Sequence, residues 1–119
     1  MKTKNSYKTG VLAEFIACVF LTLKFYRIIK LRYKSFSGEI DIIALKGKTL
    51  VFVEVKKRAS ENVLFDSITN KQKQRIINAA HIYLSRNKAF ASYNKRFDAI
   101  FIRNNFVPKH IKSAWIQEK

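Results

Sequence analysis

The chain has 119 residues, 24 of them Lys or Arg and only 8 Asp or Glu, for a formal net charge of +16; 48% are hydrophobic, with three glycines and one proline. One domain of 1–119 is expected, since domains commonly run to about 100–150 residues. The composition excludes intrinsic disorder, which goes with low hydrophobicity, and collagen-like or linker sequence. It describes a compact domain whose positive field suits a polyanionic partner. The eight acids are therefore the scarce species, and their positions carry the most information.

In chain order, Val11, Leu12, Phe15, Ile16, Val19, Phe20 and Leu23 recur at three- and four-residue spacing, the apolar stripe of a helix. With Lys2, Lys4 and Lys8 ahead of it, this stretch imitates a signal peptide, but Glu14 interrupts it and no small-x-small cleavage pattern follows. Val11–Leu23 is also shorter than the roughly 20 residues needed to cross a bilayer. The single cysteine, Cys18, cannot form an internal disulfide. A cytoplasmic protein without integral membrane association is the expectation.

Residues 25–33, 38–45 and 49–56 read as three β-strands, the last two joined by Lys46-Gly47-Lys48, and a polar connection runs over 58–67. Thr69 and Gln72 have the spacing of a capping box, opening a helix whose apolar face is Ile76, Ile77, Ala80, Tyr83 and Leu84. A strand over 96–103 follows. Beyond Pro108 the pattern leaves two options, a short helix or an edge strand through Ser113–Ile116. The order is αβββαβ plus this last element.

The hairpin holds the scarce acids. Successive strand side chains point to opposite faces, so Ile40, Ile42 and Ala44 form one set and Val51, Val53 and Val55 another. Both sets reach the same face only if even residues oppose odd ones, as a tight turn at Lys46-Gly47 or at Gly47-Lys48 provides. Asp41, Glu54 and Lys56 then share the other face. The first turn makes Glu54 a diagonal neighbour of Asp41; the second sets the two directly opposite, with Cβ atoms about 5 Å apart. Like charges so placed repel and call for a counter-charge. Lys56 is one candidate and a hard divalent cation is the other. Taken alone, the three residues also suit an ion pair on a solvated sheet face.

Asp41 followed by Glu54-Val55-Lys56 at the end of a hydrophobic strand resembles the PD-(D/E)xK nuclease motif, with Ile40 in place of the proline. Over almost its whole length the chain resembles the YraN-like bacterial proteins, related to Holliday junction resolvases and restriction endonucleases. The resemblance rests on Gly10, Glu14, Gly38-Glu39-Ile40-Asp41, Phe52-Val53-Glu54-Val55-Lys56, Lys71-Gln72 and Arg96-Phe97-Asp98. It implies a restriction endonuclease-like α/β fold with a mixed central sheet flanked by helices, and a Mg²⁺-dependent (or Mn²⁺-dependent) nuclease acting on DNA. Asp41, Glu54 and the Val55 carbonyl would hold the metal. Lys56 would position the attacking water, and Glu14 would approach from the first helix as a further ligand or water-orienting group. Branched DNA and a homodimer follow from the resolvase relationship.

Lys71, Gln72, Lys73 and Arg75 crowd the start of the second helix, where cations oppose the helix dipole and an outside phosphate is welcome. With Lys57 and Arg58 they are the expected nucleic-acid contacts. Asp98 is expected in a salt bridge with a basic residue; His81 and His110 lack partners at metal-ligand spacing and read as structural or surface. Two alternatives stand beside the nuclease: a non-catalytic nucleic-acid-binding module, and a basic protein of membrane surfaces or ribosomes.

Overall fold

The computed structural model describes residues 4–57, 68–103 and 105–115. Helix α1 (Lys4–Leu23) leads into β1 (Arg27–Ser35), β2 (Gly38–Lys46) and β3 (Thr49–Lys57); helix α2 (Asn70–Arg86) and a 3₁₀ turn (Lys88–Phe90) precede β4 (Asn94–Ile102) and β5 (Pro108–Trp115). The expected αβββαβ order holds, and the last element is the strand of the two options, begun at Pro108. The connection expected over 58–67, with Arg58, lies outside the described residues. Among the described residues no helix is long and apolar enough to cross a membrane.

The strands form one sheet in the order β1-β2-β3-β4-β5, antiparallel except between β3 and β4. A parallel pair requires a crossover, and α2 lies within it. Strand β3 is central, and its run Leu50-Val51-Phe52-Val53 is fully buried, as a strand covered on both faces should be. The two faces carry separate cores. Ile42, Ala44, Val51, Val53, Ile100 and Ile102 pack with α1, whereas Ile43, Leu50, Phe52, Phe97 and Phe101 pack with α2.

The hairpin turns at Gly47-Lys48, with Lys46 paired to Thr49. Gly47 has φ 59°, a conformation open to glycine at no steric cost, and a positive φ at the first central position suits a tight hairpin. This selects the register in which Ile42 faces Val53 and Ala44 faces Val51. Ile40 departs from expectation: it joins the α2-side core rather than Ile42 and Ala44. The β2–β3 pairing ends at Ile42 and Val53, while β3 stays paired with β4 through Lys57. Beyond Ile42 strand β2 leaves β3 but stays paired with β1 through Gly38; opposite Asp41, Arg32 of β1 has φ 51°, and the alternation is interrupted between Asp41 and Ile40.

Helix α1 also corrects the sequence reading. It meets the sheet through Ala13, Ala17 and Leu21, with Ile16 and Phe20 of the expected stripe packed beside them, whereas Phe15 is 64% and Leu23 72% exposed, and Val11, Leu12 and Val19 are exposed too. The helix is apolar around most of its circumference, so periodicity does not single out a face. The two alanines, with nothing beyond Cβ, let its backbone approach the sheet closely.

Helix α2 begins as expected. Thr69 Oγ1 accepts the Gln72 N–H at 3.1 Å, and Gln72 Oε1 accepts the Thr69 N–H at 3.0 Å, a complete capping box. Ile76, Ile77, Ala80 and Tyr83 are buried. The first turns of α2 ride directly on the start of β2: a Cβ at Gly38 would stand 2.7 Å from the Arg75 carbonyl oxygen and 3.0 Å from the Arg75 Cβ. Gly38→Ala therefore forces α2 away from the sheet. The expected cost is about 1–3 kcal/mol, read as a fall in melting temperature of roughly 4 °C or more per kcal/mol. An unchanged melting temperature would show that this approach has slack.

Candidate active site

The parting of β2 from β3 leaves the Val55 N–H without a strand partner on that side, and Asp41 supplies one. The Val55 N–H donates to Asp41 Oδ2 at 2.8 Å. Glu54, adjacent on β3, projects with Asp41 into a pocket of about 200 Å³ whose other walls are Glu39, Gln72, Arg75 and Ile76. Lys56 Nζ lies 3.2 Å from Glu54 Oε2, with the Lys56 side chain 20% and the Glu54 side chain 12% exposed. The strand parity that grouped Asp41, Glu54 and Lys56 thus describes one cluster. Its face is not open sheet surface: α2 roofs it, and the pocket lies under the first turns of that helix.

Electrostatics mark Asp41 as the unusual group. Burial pushes its carboxyl up to about 8, the neighbouring Glu54 carboxylate adds to the rise, and the Val55 N–H opposes it. The Glu14 charge contributes in the same direction as Glu54. Glu14 itself is not in the pocket lining; its Oε1 is ion-paired with Arg32 Nε at 2.8 Å. Glu39 is exposed and also lines the pocket. Among the described residues no three carboxylates, histidines or cysteines converge as a ligand set. The convergent pair is Asp41 and Glu54.

The basic residues divide. Gln72 and Arg75 line the pocket, and because Gln72 Oε1 is engaged by the cap, its Nε2 amide is the end left to face a ligand. Lys71 and Lys73 sit on the same turn but outside the lining. Lys57, one residue past Lys56, has its ammonium 5.5 Å from the centre of the Phe106 ring. Arg58 is outside the described residues.

A second polar cluster lies on the α1 side of the sheet. Asp98 is fully buried and accepts from Arg96 Nε and Nη2 at 2.8 Å each, from His110 Nε2 at 2.7 Å and from the Ser113 N–H at 3.0 Å. Burial would raise its carboxyl, but these hydrogen bonds together hold it below the usual carboxylate range. The expected salt bridge is present, while His110 and Ser113 were not legible as partners. A β-bulge in β5, with Ser113 at φ 51°, aims that N–H inward, and the sequence pattern carries no signal of it.

The family model "Uncharacterised protein family UPF0102" matches residues 13–102. The chain belongs to the UPF0102 family. UPF0102 proteins of Rhodopseudomonas palustris (strain BisB5) and Bradyrhizobium diazoefficiens are 42% and 40% identical to it over 110 residues, covering 92% of this chain and 84% and 83% of the relatives. A UPF0102 protein of Rhizobium etli is 37% identical over 112 residues, covering 94% and 92%. The UPF0102 match takes in Glu14, Asp41, Glu54, Lys56, the whole of α2 and Asp98.

A carboxyl raised from 3.8 to about 8 binds its proton more tightly in the folded chain than in the unfolded one. Folding stability must then fall as the pH rises from about 4 towards 8. Asp41→Asn removes that loss and keeps an oxygen for the Val55 N–H. In EDTA at pH 8 the variant should melt higher than the parent, by on the order of 1 kcal/mol or roughly 4 °C, with the gap closing near pH 4. A lower melting point at pH 8 would contradict the repulsion described here.

Proposed function

We propose that the protein is a Mg²⁺-dependent nuclease that cleaves phosphodiester bonds in DNA. The observation that carries this reading is the convergence of Asp41 and Glu54 in one half-buried pocket, beside Lys56. The donor set fits a hard divalent cation: Mg²⁺ is commonly held by one or two carboxylates with substrate phosphate completing its shell. Asp41 and Glu54 would hold it. In an extended strand a residue's N–H and C=O project to the same side, so the Val55 carbonyl opens on the same gap as its N–H and is the third protein ligand of the reading. When bound, the ion would polarise the scissile phosphate and acidify water at the site.

The chain's own residues divide the remaining work. Lys56, held at 3.2 Å from Glu54, positions the attacking water and offsets charge gathering on the phosphate oxygens. Arg75 and the Gln72 amide receive the flanking phosphates at the start of α2, where backbone N–H groups also favour anions. Glu14, tied to Arg32, acts from outside the pocket through its charge on Asp41. The net charge of +16 brings the polyanion to the surface. The resemblance to Holliday junction resolvases extends the reading to branched DNA and to a homodimer that cuts two strands.

The test is a panel of duplex, single-stranded, flap and four-way DNA incubated with Mg²⁺ or Mn²⁺. Cleavage should require the metal and fall by at least about 10²–10³ in Asp41→Ala, Glu54→Ala and Lys56→Ala, while DNA binding at fixed salt persists. Binding without cleavage of any substrate would replace this reading with that of a non-catalytic nucleic-acid-binding protein.

A further inference from the structure

The α1 side of the sheet carries a second and larger pocket, about 420 Å³, lined by Phe20, Lys24, Tyr26, Lys46, His110 and Lys112. It lies towards the opposite end of β2 from the carboxylate pair. Asp41 and Lys46 are five residues apart on that strand, about 17 Å at the rise of an extended chain. Its volume is within the roughly 300–1,000 Å³ of small-molecule sites. Three ammonium side chains line it and no carboxylate does.

The cluster behind the pocket explains why. Asp98 is buried and already satisfied by Arg96, His110 and the Ser113 N–H, and Arg96 Nη2 also donates to the Tyr26 hydroxyl at 2.7 Å. Its charge is therefore consumed internally. His110 is held with its side chain only 8% exposed. Because the Asp98 carboxylate can only accept, His110 Nε2 bears the proton of that bond, and no described residue bonds Nδ1. The lysines find aromatic faces instead of acids: Lys46 Nζ lies 4.9 Å from the centre of the Tyr26 ring and Lys24 Nζ 5.7 Å from that of Phe20. Grouping like charges around one cavity is unfavourable, and an anion relieves it.

We propose that this pocket binds a phosphate monoester carried on an aromatic body, as in a nucleoside monophosphate or the phosphorylated 5′ end of a strand. The phosphate, a multiply charged anion with several acceptor oxygens, lies among Lys24, Lys46 and Lys112 with His110 beside it. A site of this size exceeds a bare phosphate, and the Phe20 ring supplies a wall for the base. This site is separate from the proposed nuclease centre and stands whether or not that centre cleaves DNA.

Calorimetric titrations at fixed salt with AMP, adenosine, inorganic phosphate, and a hexanucleotide with either a 5′-phosphate or a 5′-hydroxyl test it. AMP should bind more tightly than inorganic phosphate, and adenosine should not bind. Lys24→Ala/Lys112→Ala, both at exposed positions, should weaken AMP by about tenfold or more. The charge-matched pair Lys34→Ala/Lys88→Ala, also exposed, should retain affinity within about twofold. Amide shifts in ¹⁵N spectra should gather on residues 20–26 and 109–113. A 5′-phosphate preference that depends on Lys24 and Lys112 identifies a strand end; tight AMP with no such preference identifies a free nucleotide. Equal losses in both double variants, shifts at residues 72–76 instead, or no binding of AMP or of the 5′-phosphorylated strand would overturn the proposal.

Discussion

The hydrogen bond from the Val55 N–H to Asp41 Oδ2 closes the gap where β2 leaves β3. A buried main-chain N–H without a partner would cost a free energy comparable to a lost hydrogen bond, so the parting of the strands requires an acceptor at that point. A carboxylate provides it, and in doing so is fixed beside Glu54. One local need of the backbone thereby dictates the geometry of the pocket. It also sets the conflict there: burial and Glu54 raise the Asp41 carboxyl, while the bond that holds it in place lowers it.

Everything that shapes the pocket refers back to this gap. Gly38 admits the backbone of α2 at Arg75, which brings Gln72 and Arg75 over the carboxylates. The capping box turns Gln72 Oε1 away to the Thr69 N–H, so the side-chain end left to the pocket is a donor. On the far face Ala13 and Ala17 let α1 lie close to the sheet, and Glu14, three residues before Ala17, is near enough to act on Asp41 by charge alone.

How much of this the sequence discloses follows from how local each feature is. The facing of Ile42 with Val53 and the grouping of Asp41 with Glu54 depend on strand parity and one glycine turn, and both are legible. Ile40 is misread because the alternation is interrupted beside Asp41, where β2 leaves β3 and Arg32 of the β1 partner has φ 51°, and nothing in Gly38–Ile43 announces it. The packing face of α1 is misread because a helix apolar on most sides has no distinctive stripe. Most of the Asp98 cluster is illegible for another reason. Arg96 is the neighbour of Asp98 on β4, and that salt bridge is legible, but Tyr26 precedes β1 and His110 and Ser113 come from β5, and a carboxylate satisfied across 12 to 15 residues by β5 leaves no periodic trace.

The charge balance can be read more closely with these placements. A net charge of +16 should draw protons away from every carboxyl, yet Asp41 is raised. Distant surface charges are screened over about 8 Å at physiological salt, so burial and the adjacent Glu54 prevail over the global field. The pocket is thus a locally acidic place in a basic protein, sited beneath Arg75 and beside Lys56. A phosphate drawn in by the surrounding cations would meet two carboxylates and be repelled by them. A proton on Asp41, the Lys56 ammonium at Glu54 and, in the function proposed above, a multivalent cation each offset that repulsion, so the two scarce acids set the local field of the pocket against the abundance of bases.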